Sequence, residues 1–119
     1  MKVVLTTETA LAAVVLKGHI LSAIKGDVDN MDIDTWNYVK SGDNYDIIYH
    51  NPLQYVNAPE KNVVFRVEVE GTEVMISTAW WSSKPVPSKE MLCLHTGRLV
   101  EMLLRYFSGG FMKFNIVDF

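Results

Sequence analysis

The chain has 119 residues, of which 49% are hydrophobic and 21% charged, with a formal net charge of −3. That length fits one domain, expected over 1–119, and suffices for a core without disulfide staples. One cysteine, Cys93, excludes an internal disulfide and any multi-cysteine metal site, and the mild acidity argues against a general nucleic-acid binder.

The most apolar stretch, Ala10–Leu16, is flanked by Glu8 and Lys17 and lacks a small-residue cleavage site. It is also shorter than the ~20 apolar residues that a membrane-spanning helix needs. A cytoplasmic protein without a membrane partner is expected.

Lys2–Leu5 reads as a short strand or a lead-in. Thr6 or Thr7 then offers an N-cap for a first helix over about 7–25. Ala13, Leu16, Ile20 and Ile24 form one stripe, widened by Val14 and Leu21, and Ala12, Val15, His19 and Ser22 form the least apolar face. A helix apolar nearly all round is deeply buried or shared with a partner, so a homodimer through it is one expectation. Gly18 hints at close packing, and Gly26-Asp27 ends the helix.

Residues 27–46 carry six Asp against one Lys, a local charge of −5. Asp32 or Asp34 suits the cap of a short helix through Trp36, Tyr38 and Val39, stopped at Ser41-Gly42. Tyr45–His50 reads as a strand, and residues 52–62 as a loop with two prolines.

The clearest pattern is the hairpin over 63–81. Gly71-Thr72 is a Gly-X pair suited to a two-residue turn. Folding there sets Val69 opposite Val74, Val67 opposite Ile76, Phe65 opposite Thr78 and Val63 opposite Trp80. Ser88 caps a second helix over about 88–107, with Leu92, Leu99, Leu103 and Phe107 inward. Arg98, Glu101 and Arg105 mark its solvated face. Ser108-Gly109-Gly110 stops it. A closing strand over 111–117 carries Met112, Phe114 and Ile116 on one side. The expected fold is α+β: a mainly antiparallel four-stranded sheet with the hairpin at its centre, packed on the two helices.

Candidate chemistry is sparse. Counted as a calcium loop from Asp27, position 6 is Asp32 rather than Gly and position 12 is Tyr38 rather than Glu. His19, His50 and His95 share no metal-ligand spacing, and Cys93 and His95 fall on different sides of a helix. Cys93 reads as a small buried hydrophobe and His95 as a partly buried polar residue. The glycines form neither a phosphate loop nor a dinucleotide fingerprint. No catalytic residue, cofactor or metal is expected.

The expected function is a small non-enzymatic module that binds a partner protein, of the kind represented by inhibitors (phage or mobile-element products among them), immunity factors and adaptors. The candidate surface combines Asp29, Asp32, Asp34, Trp36, Tyr38, Tyr45, Tyr55 and Trp81. Trp81 is singled out because adjacent strand residues face opposite sides, and Trp is prominent at interface hot spots. Residues 84–113 carry +3, which opposes the acidic block and suits steering toward a charged partner. Two alternatives stand beside this reading. One is nucleic-acid binding with Arg98 and Arg105 on phosphates, or mimicry of nucleic acid by the Asp run. The other is a small-ligand or enzyme site that uses His50, His95 or the Asp cluster in a sheet-side cleft and is formed only in three dimensions.

Overall fold

A computed structural model describes residues 1–26, 33, 35–41, 45–50, 63–81 and 85–118. Its elements are β1 (Lys2–Thr6), α1 (Ala10–Ile24), β2 (Trp36–Ser41), β3 (Tyr45–His50), β4 (Val64–Glu70), β5 (Glu73–Ala79), α2 (Lys89–Phe107), a 3₁₀ turn (Ser108–Gly110) and β6 (Lys113–Val117). The six strands form one sheet in the order β2-β3-β4-β5-β1-β6, with every neighbouring pair antiparallel. The class is α+β with two helices, as expected, but the sheet has six strands rather than four.

Each added strand has a physical reason. β1 reads KVVLT, with Val3, Val4 and Leu5 all buried. It lies between β5 and β6, so both of its hydrogen-bonding edges are paired, and Val4 is buried on the face opposite Val3 and Leu5, so its apolar run shows no alternation. β2 occupies the stretch expected as a short helix. Trp36 and Tyr38 alternate with the exposed Asn37 and Val39, and six register pairs tie the strand to β3. Aromatic and β-branched residues fit a pleated, half-buried surface, and that pairing overrides the local capping signal.

The β4–β5 hairpin has the expected register from Phe65↔Thr78 to Glu70↔Glu73. Gly71 has φ +59°, which glycine accepts without a Cβ clash. The ladder stops at Val64↔Ala79, so the expected Val63–Trp80 pair falls just beyond it.

Both helices contribute to one hydrophobic cluster. Val3, Leu5, Ile48, Phe65, Val67, Val74 and Ile76 meet Leu16, Ile20 and Ile24 of α1 and Leu99, Met102, Leu103 and Phe107 of α2. The α1 stripe is as expected, except that Val14 is exposed together with Leu11 and Val15. Gly18 also faces outward, and a Cβ placed there would meet nothing within 4 Å, so it marks no close packing. The close approach is at Gly110, where a Cβ would stand 2.7 Å from Leu16 Cδ1.

The cap of α1 is Thr9, whose hydroxyl accepts from Ala12 N–H at 3.0 Å. Thr7 is committed elsewhere: it is buried, and its backbone N–H and hydroxyl both donate to Thr72 O in the hairpin turn. α2 starts as expected, with Ser88 Oγ accepting from Met91 N–H at 3.3 Å. A side-chain N-cap is worth about 1 kcal/mol. Ser88→Ala is therefore expected to lower unfolding stability by about that amount in urea, and Ser88→Gly by only a few tenths. Among the described residues, no helix is long and apolar enough to cross a membrane.

Candidate functional site

The antiparallel register separates the expected surface residues. Trp36 and Tyr38 pair with His50 and Ile48 on the helix-covered face, whereas Tyr45 pairs with Ser41 on the opposite face. Trp36 is 3% exposed and packs beside Phe65 and His50, so it is a core residue rather than a surface anchor. Tyr38 is half-buried. Its hydroxyl donates to Asp46 Oδ1 at 2.5 Å, and Lys25 Nζ lies 4.2 Å from the centre of its ring. Tyr45 is exposed, with the Arg66 guanidinium 3.8 Å from its ring centre. Asp29, Asp32, Asp34 and Tyr55 lie outside the described residues. Trp81 is half-buried and Trp80 exposed: β5 ends at Ala79, and the alternation expected for the pair ends with it.

Asp46 joins α1 to the β2–β3 hairpin. Lys17 Nζ from α1 lies 2.9 Å from its Oδ2. Burial raises the pKa of Asp46, but the hydrogen bonds from Tyr38 and Lys17 outweigh this and hold its carboxyl below the ordinary range. The same bond pushes the Tyr38 pKa up to about 12. This group clasps the hairpin to the helix, so Tyr38 has a packing role.

A cleft of about 420 Å³ opens between α2 and the ends of β2 and β3. Arg98, Glu101, Arg105 and Tyr106 line it from α2, and Trp36 and His50 face them from the sheet. The helical spacing i, i+3, i+7, i+8 puts the four α2 residues on one face. Arg105 Nη2 pairs with Glu101 Oε1 at 2.6 Å. Arg98 has no carboxylate within ion-pair distance among the described residues. Burial lowers the His50 pKa, and the charge of Arg98 lowers it further.

His95 lies on the inner face of α2 and is fully buried, whereas the sequence reading leaves it partly exposed. Neither of its ring nitrogens has a hydrogen-bond partner among the described residues. Burial, with a smaller contribution from His50, pushes its pKa down to about 4. Cys93, expected to be buried, is exposed on α2.

The second surface is the β6 edge. All five residues of β6 are exposed. Phe114 pairs with Leu5 and Ile116 with Val3, so both side chains continue the core face of the sheet past its covered part. Met112 is 61% and Ile116 51% exposed, and Leu104 of α2 is exposed as well. Phe114 and Leu104 share a small apolar seat with Val100 and Phe111. The expected sidedness of Met112, Phe114 and Ile116 is present, but their exposure was not legible, because the pattern of a closing strand does not say whether another strand follows it in space.

No known protein family, no curated protein and no solved structure matches the chain.

Proposed function

We propose that the chain acts by binding, as a protein-interaction module, with the outer edge of β6 as its docking surface and an extended segment of a partner protein as the occupant. One observation carries this reading: an edge strand with every residue exposed bears large apolar side chains on the face that elsewhere forms the core. A strand edge offers N–H and C=O groups to a further strand, and exposed apolar edges promote unwanted pairing unless they are covered. Main-chain hydrogen bonds would supply affinity. Phe114, Ile116 and Leu104 would select apolar side chains at alternate partner positions.

The separation of Trp36 and Tyr38 from Tyr45 supports this location over the acidic and aromatic surface expected from sequence. Blocking or bridging a partner in this way is the work of an inhibitor, immunity factor or adaptor. An exposed lone thiol at Cys93 is compatible with a reducing cytoplasm.

The test is affinity capture of the tagged chain from nuclease-treated lysate of its natural host, alongside Ile116→Lys. The side chain of Ile116 is half exposed at the edge, so circular dichroism should remain that of the parent. One stoichiometric protein, retained by the parent and lost with Ile116→Lys, is the expected result. Retention of that partner by the variant overturns the β6 assignment. Recovery of the parent chain alone, monomeric in sedimentation, overturns the interaction reading. A second copy seated on the edge would appear as a dimer that Ile116→Lys dissociates.

A further inference from the structure

We propose that the cleft between α2 and the β2–β3 hairpin binds a small molecule through an oxyanion group, phosphate or carboxylate, held by Arg98 and flanked by His50 and Tyr106. This site is separate from the β6 edge and does not depend on it.

The geometry makes the case. A volume of about 420 Å³ falls within the ~300–1,000 Å³ usual for small-molecule sites. The two arginines reach the cleft from one face of α2, with Glu101 between them. Glu101 engages Arg105 and leaves Arg98 as the cation without an ion pair among the described residues. A guanidinium offers five N–H donors in a planar fork, which matches the paired oxygens of a carboxylate or phosphate.

The surroundings favour a small anion over a polyanion. The whole chain carries −3, so a long nucleic acid would meet net repulsion. Among the described residues lining the cleft, Arg98, Arg105 and Glu101 leave an excess of one positive charge. His50 is held toward its neutral form by burial and by Arg98, so its ring adds no charge to the cleft at neutral pH. Trp36 and His50 meet edge to face with ring centres 5.3 Å apart where the sheet borders the cleft.

The test uses three probes that share one ring: phenyl phosphate, benzoate and phenol. Each is titrated into the full chain while the His50 ring and Trp36 indole resonances are followed by NMR. Saturable shifts with one or both anions, and none with phenol, are expected. The tighter anion then identifies the group as phosphate or carboxylate. Arg98→Gln should weaken that anion at least tenfold, with Arg98→Lys intermediate and Lys113→Gln on distant β6 unchanged. Arg98 is exposed, so these variants should keep the parent circular dichroism. Absence of saturation with both anions overturns the proposal. So does equal binding of phenol, or undiminished binding by folded Arg98→Gln.

Discussion

Between pH 6.5 and about 4 the folded chain is expected to lose about 3 kcal/mol of stability through His95 alone. The sign follows from proton uptake. In the unfolded chain the imidazole titrates near its ordinary 6.5, and in the fold burial pushes it down to about 4. In that window the unfolded state binds a proton that the folded state does not, so acid favours unfolding. The full contribution is present above pH 6.5 and is lost progressively as the pH falls to about 4. His50, also lowered, adds to the slope in the same direction. Asp46 acts elsewhere: its carboxyl is held below 3.8, and its contribution is lost only in stronger acid.

His95→Leu isolates the effect. Removing two buried nitrogens that lack partners removes their desolvation cost, which is about 1–3 kcal/mol for an unsatisfied buried polar group. The variant should be at least as stable as the parent at pH 7 and clearly more stable at pH 5. Urea unfolding at a series of pH values checks this. A parent midpoint that is flat from pH 7 to 5, or a variant that follows the parent, would show that His95 is not held neutral by burial.

Phe65→Ala is expected to cost about 3–5 kcal/mol, as large-to-small changes at buried aromatics do. Phe65 is fully buried in β4, and its ring centre lies 6.0 Å from that of Trp36. It belongs to the cluster shared by both helices, so the cavity would open where the layers meet. Domains of this kind have only about 5–15 kcal/mol in total. Such a loss should lower the urea midpoint by about 1 M or more. Val117→Ala on the exposed β6 edge should stay within about 0.5 kcal/mol of the parent. Equal effects at the two positions would contradict the placement of the core.

Part of the candidate site was legible and part was not. Arg98, Glu101 and Arg105 are visible in sequence as one helical face, because their spacing is local. The wall opposite them was hidden. Asp32, Asp34 and Ser41-Gly42 imitate helix punctuation around Trp36, Tyr38 and Val39, and only pairing with β3 reveals a strand. Once β2 is a strand, Trp36 turns inward beside His50 and the cleft acquires its second side. Trp81 lies two residues past the end of β5, where the alternation of the strand no longer assigns its face.

The hairpin register, the span of α2 with its Ser88 cap, and the inward stripe of α1 were determined by the sequence alone. Each depends on neighbours within a few residues: a Gly-X turn, a period of two, or a period near 3.6. The tertiary structure decided the strand order, which inserts β1 between β5 and β6 and leaves β6 at the edge. It also decided that Cys93 faces solvent while His95, two residues on, is sealed in the core. These outcomes depend on which elements meet across the fold, and contacts between distant segments leave no periodic trace in either one.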